Sequence, residues 1–133
     1  MKHLHHIQTI LYVNDQQASA AFYERLFRKA PDLNVPGMTE FVLAPNVKLG
    51  LMPNKGIAKL LGDASPHPDT GDGIPRCELY FLIEDLEAVF ENAVAIGAKV
   101  ISPILDRDWG DRACYFADSD GHVIALQKSC SFF

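Results

Sequence analysis

The sequence predicts an α+β fold drawn twice in one chain: two βαβββ modules in tandem whose strands form a curved mixed sheet around a cavity. Two internal correspondences and one alternation pattern carry that prediction. The stretch QTILYVNDQQASAAFYERLF, from Gln8, matches ELYFLIEDLEAVFENAVAIG, from Glu78, at an offset of 70, while FVLAPNVKLGLM (Phe41 to Met52) matches FADSDGHVIALQ (Phe116 to Gln127) at an offset of 75. Within the strands, alternate residues divide into an apolar set and a mixed one, as the two faces of a half-buried sheet require.

The elements follow in order. Each copy opens with a strand ending at an aspartate, Asp15 or Asp85, whose carboxylate is suited to accept from the unpaired amides of a helix's first turn. In the first helix Ala18, Ala21, Phe22 and Leu26 form the expected apolar stripe, and Pro31 prevents continuation. In the second, Leu86, Val89, Phe90, Ala93 and Ile96 recur at helical spacing, and Gly97 tolerates the left-handed helix end. About three antiparallel strands follow each helix, those of the second copy starting at Lys99 to Ile104, with Asp118 to Gly121 as a hairpin turn. Between the copies, the Gly-, Pro- and Asp-rich stretch Pro53 to Arg76 reads as a surface linker with a brief helical patch near Ile57 to Leu61. The whole is one domain, residues 1–133: module one spans about residues 1–53, the linker about 54–75 and module two about 76–128.

Alternation also locates the candidate site. One face holds Ile7, Thr9, Leu11, Val13, Val47, Leu49, Leu51, Leu79, Phe81, Ile83, Ile124 and Leu126, and belongs beneath the helices. The other holds Gln8, Ile10, Tyr12, Lys48, Gly50, Met52, Glu78, Tyr80, Leu82, Val123, Ala125 and Gln127. Tyrosine, methionine and leucine are wasteful on an open surface, so this second face is expected to line a concave ligand site.

Composition narrows the function. Hydrophobic residues make up 48% and charged ones 22% of the 133 residues, an ordinary globular balance that supports a real core. With 17 acidic against 12 basic residues and no basic run, nucleic-acid binding lacks its electrostatic footing. The chain has no apolar run of the roughly 18 residues that a membrane span needs, and no signal-peptide pattern, so a cytoplasmic location without membrane association is expected. Cys77, Cys114 and Cys130 form no CxxC pair and are read as reduced thiols. Nucleotide-cradling and hydrolase-elbow motifs are absent.

These segments, with the closing DWGDRACYFADSDGHVIALQ, resemble the vicinal-oxygen-chelate superfamily, which includes glyoxalase I, bleomycin-resistance proteins and extradiol dioxygenases. The closing run is similar to the family's Trp-Gly-x-Arg and Phe-x-Asp-Pro-Asp-Gly-His, with Ser119 in place of the proline. The resemblance implies a small-molecule site and a homodimer. It also implies metal-ligand positions at Gln8, approximately Gly50, Glu78 and Ala125, of which only Gln8 and Glu78 can coordinate.

The leading expectation is therefore a cavity that binds a small organic molecule without a catalytic metal or other cofactor. The alternative is a lyase or isomerase of the glyoxalase I kind, with Gln8 and Glu78 holding a divalent Zn, Ni, Mn or Mg; a homodimeric scaffold with a vestigial site is the third reading. Tyr12, Lys48, Met52, Tyr80, Trp109, Arg112 and Gln127 are the candidate substrate-binding residues. Glu78 is the candidate catalytic residue, because burial would disfavour its charged form and suit it to general-base work. The competing role for Glu78 is an ion pair with Arg76 or Arg112, or a hydrogen bond with a tyrosine hydroxyl.

Overall fold

A computed structural model of the chain describes residues 2–129, so Cys130 lies outside the described residues. It contains two four-stranded mixed sheets, in two compact units that divide between Asp72 and Gly73.

In the first unit, β1 (Ile7–Val13) leads into α1 (Gln16–Phe27), followed by β2 (Leu33–Val35), β3 (Met38–Ala44), β4 (Val47–Pro53) and α2 (Asn54–Leu61). The sheet order is β1-β4-β3-β2. β3 runs antiparallel to both β2 and β4, while β1 and β4 run parallel with Ile10 opposite Gly50. The second unit repeats the plan with β5 (Glu78–Ile83), α3 (Leu86–Ala95), β6 (Lys99–Asp106), β7 (Arg112–Ala117) and β8 (Val123–Lys128), in the order β5-β8-β7-β6. Here β5 and β8 form the parallel pair, with Tyr80 opposite Ala125.

The helix ends differ in how they are held. Asp15 caps α1 as expected, its Oδ1 accepting from Ala18 N at 3.1 Å. Asp85 occupies the equivalent position before α3, but its side chain makes no capping bond; its φ of −106° and ψ of 61° depart from the extended backbone found at Asp15. α1 stops at Arg28 in the left-handed region, ahead of Pro31.

The buried stripe of α1 is Ser19, Ala20, Tyr23 and Leu26, which corrects the one expected from hydropathy. Hydropathy alone favours Ala18, Ala21 and Phe22 over Ser19 and Tyr23. Packing selects Tyr23 because its ring sits against those of Phe22 and Phe27, at 5.0 and 5.6 Å between centroids. The stripe of α3 has Leu86 and Ala93 buried, with Val89, Phe90 and Ile96 half-buried beside them.

The core of the first unit is Leu11, Val13, Phe41, Leu49 and Leu51 under α1, with the Phe27 and Phe41 rings edge-on at 5.3 Å. In the second, Cys114, Phe116, Ile124 and Leu126 are fully buried or nearly so. Ile7 and Val47, assigned to the same apolar set, lie opposite each other at the start of their strands and are exposed. The linker is more ordered than its composition suggests: α2 begins at Asn54, and Asn54 and Ile57 are both buried.

Burial has a chemical consequence at Cys114. It pushes the thiol up from its ordinary range, outweighing the Leu126 backbone hydrogen bond and the charge of Arg107. Since the thiolate is the nucleophile, iodoacetamide at about pH 8 should modify exposed Cys77 and spare Cys114 when the cysteine peptides are mapped by mass spectrometry. Alkylation of both at similar rates would contradict the packing of β7.

Candidate functional site

In each module, the face turned away from the core centres on a small residue of the last strand. In the first, Gly50 lies between Ile10 on β1 and Glu40 on β3. In the second, Ala125 lies between Tyr80 on β5 and Tyr115 on β7. The flanks have diverged: the first carries charge and the second carries aromatic rings.

The first face is organised by Glu40. Its Oε2 accepts from Gln8 Nε2 at 2.8 Å, and its Oε1 lies 3.7 Å from Lys48 Nζ. The carboxylate side chain is only 18% exposed, and the lysine 35%. Gly50 makes this arrangement sterically feasible, because a Cβ there would lie 2.8 Å from Gln8 Nε2 and 3.2 Å from Ile10 Cγ1. Gln8 thus uses the space that a side chain at position 50 would occupy. Tyr12 and Met52, opposite each other in register, lie farther along the same face; Tyr12 is exposed and Met52 half-buried.

The second face brings together Tyr80, Gln127 and Trp109. The Tyr80 hydroxyl donates to Gln127 Oε1, and the Trp109 side chain hydrogen-bonds to the Tyr80 oxygen. Burial pushes the Tyr80 hydroxyl up from its ordinary range, against the Trp109 bond, with Tyr115, Asp111 and Glu78 adding to the rise. Gln127 is buried, whereas Tyr80 and Trp109 are 37% and 54% exposed.

Arg112 stands apart from this cluster. Arg112 Nη1 lies 3.3 Å from Asp106 Oδ1, and its Nε lies 3.7 Å from Glu87 Oε1 on α3. Its charge is thereby engaged in surface pairs rather than by Glu78. Glu78 is exposed at the start of β5, so its own module does not supply the desolvation on which a general-base role would draw.

Sequence reasoning missed two residues. Glu40 falls one residue before the repeated segment that begins at Phe41; extending the offset of 75 by that residue would have paired it with Tyr115. Arg107 lies in the turn between β6 and β7, beyond the reach of strand alternation. Its guanidinium sits 5.2 Å from the Tyr115 ring centroid. It also donates to Ser102 Oγ, Pro103 O and Ala113 O at 2.7–3.2 Å.

A glyoxalase-like domain model matches residues 6–131. The chain belongs to the glyoxalase-like family. It thus falls within the vicinal-oxygen-chelate superfamily. An uncharacterized protein of Mycobacterium bovis is 28% identical over 119 residues, covering 87% of this chain and 78% of that protein. Among solved structures, a glyoxalase-related enzyme from Fulvimarina pelagi superposes with a TM-score of 0.78 at 22% identity, covering 92% of this chain and 86% of that one. A glyoxalase/bleomycin resistance protein/dioxygenase family enzyme from Burkholderia phytofirmans gives 0.75 at 15% identity, covering 96% and 98%. At these identities the likeness establishes the glyoxalase fold.

The donor set does not fit the divalent metal that the family resemblance implies. Of its four positions, Gly50 and Ala125 have no donor atom, which leaves only the carbonyl oxygen of Gln8, whose amide nitrogen donates to Glu40, and the exposed carboxylate of Glu78. The Lys48 ammonium 3.7 Å from the Glu40 carboxylate already supplies positive charge there, and a divalent cation beside it would be repelled. A separate group, Asp118, Asp120 and His122, places its potential ligand atoms within 4.8 Å of one another. There Asp118 Oδ1 accepts from the backbone amides of Asp120 and His122 at 3.0 and 2.9 Å. That carboxylate therefore organises the turn into β8, in keeping with the hairpin expected at these residues.

No helix among the described residues is long and apolar enough to cross a membrane.

Proposed function

We propose that this glyoxalase-like chain binds a small organic molecule on the faces of its sheets turned away from the core, without a catalytic divalent metal. The Gln8–Glu40–Lys48 cluster over Gly50 carries the reading. It fills one half of the family's metal-ligand positions with an internally neutralised pair: Glu40 balances Lys48, and Gln8 is locked onto Glu40. A Gln8 side chain held in this way still has a carbonyl oxygen and a second amide hydrogen, suited to hydrogen-bonding an organic ligand. The exposed apolar surface of Ile10, Tyr12, Tyr80 and Leu82 on the same faces suits contact with a carbon skeleton.

Elemental analysis of protein prepared without chelators should find no stoichiometric Zn, Ni, Mn or Mg. Adding each metal, or EDTA, should leave the melting temperature unchanged. A stoichiometric metal that is lost in Gln8→Ala or Glu78→Ala would overturn the reading in favour of a metal-dependent lyase or isomerase.

A further inference from the structure

The face of the second module contains a cation, Arg107, stacked on the Tyr115 ring. Arg107 has no carboxylate partner among the described residues; its neighbours are the carbonyls of Pro103 and Ala113 and the hydroxyl of Ser102. A guanidinium carries five N–H donors. Nε–H, one Nη1–H and both Nη2–H are engaged by these neighbours, which leaves one Nη1–H uncommitted. The bonds hold the group rigidly against Tyr115, so little side-chain entropy remains to be lost when a ligand arrives.

The surroundings specify what such a ligand would look like. Tyr115 and Tyr80 flank Ala125 on adjacent registers of one face, and Tyr80 and Trp109 keep much of their ring surface exposed. The Tyr80 hydroxyl spends its hydrogen on Gln127 Oε1, which leaves the Gln127 amide hydrogens as further donors. Arg107 is the cation stacked on Tyr115, so an anionic group belongs at its end and an uncharged body over the exposed rings of Tyr80 and Trp109. Trp109 sits in the turn that Arg107 closes, with Arg107 N donating to Asp111 O at 2.7 Å and Gly110 N to Arg107 O at 2.9 Å.

We infer that the second module's face takes a planar aromatic carboxylate, its anionic end on Arg107 and its ring over Tyr80 and Trp109. The inference rests on the metal-free binding reading and adds the ligand class to it. Arg107 is the charge-selecting residue, and the Arg112 side chain takes no part.

Trp109 is the chain's single tryptophan, so its fluorescence reports from the site itself. Benzoate and its uncharged isostere benzamide are the probes, titrated against the wild-type chain and against Arg107→Gln. Benzoate should change the Trp109 emission and bind about tenfold or more tightly than benzamide, as a charge-assisted hydrogen bond implies. Added salt should weaken benzoate alone. Arg107→Gln should erase the preference while benzamide binding persists. The salt dependence and the benzoate–benzamide comparison need only the wild-type chain, so they decide the matter even if that variant fails to fold. Equal affinity for the two probes would overturn the carboxylate assignment and leave metal-free binding standing. No response to either probe would also overturn it, and the metal measurements would then judge the broader reading alone.

Discussion

Phe41→Ala should destabilise the protein by about 3–5 kcal/mol and lower its melting temperature by roughly 10–20 °C. Phe41 is fully buried on β3, with its ring edge-on to Phe27 of α1 at 5.3 Å. Truncation removes both the transfer free energy of the ring and its packing against the helix, leaving a cavity that a β-sheet closes poorly. Domains of this kind are stable by only about 5–15 kcal/mol in all, so the change consumes a large fraction of the margin. The neighbouring Val42 is the control: its side chain is 38% exposed and points to the other face, and Val42→Ala should change stability by no more than about 0.5 kcal/mol. Chemical denaturation of the two variants tests the pair. A loss under about 1 kcal/mol for Phe41→Ala would mean that α1 does not pack on β3 as described.

The second large effect is expected at Gly121, in the turn that delivers β8. Its φ is +85°, and a Cβ built there would lie 2.9 Å from Gly73 Cα and 3.2 Å from Gly73 C. Both obstacles are backbone and cannot swing aside. Left-handed strain and overpacking together should make Gly121→Ala cost about 2–4 kcal/mol. Gly121→Asn separates the two causes, because asparagine tolerates positive φ but still carries a Cβ. If the close approach dominates, asparagine should be nearly as damaging as alanine in a thermal melt. Recovery of most of the stability by asparagine would assign the cost to backbone strain instead.

Much of the architecture was legible because the repeat and the strand alternation report the same physics twice. The offset of 70 aligned both first strands and both helices, and alternation assigned Gln8, Lys48 and Gly50 to one face, as the register between β1 and β4 bears out. Local chemistry succeeded at Asp15 and failed at Asp85, where the same residue type makes no capping bond; a cap depends on backbone angles that composition does not encode. The α1 stripe was misplaced because Tyr23 and Ser19 score as polar, whereas a tyrosine buries well among other rings. The family resemblance pointed to four metal-ligand positions but could not show why the one on β4 is a glycine. That reason is spatial: Gln8 folds over Gly50 to meet Glu40, a contact between residues 32 apart in the chain. Arg107 was hidden for a related reason, since it acts through a turn whose course sequence patterning does not describe.

The parallel pairing of β1 with β4, and of β5 with β8, bears on the order in which the molecule can be made. Within each sheet the last strand to be synthesised is an inner one, flanked on both sides, and the first strand has no other partner. Ile7 meets Val47, and Glu78 meets Val123. At ribosomal speeds of about 5–20 residues per second, each opening strand waits roughly 2–9 s for its complement. During that interval the nascent module lacks the parallel pair that completes its sheet, so newly made chains spend seconds exposed to chaperones or to mispairing.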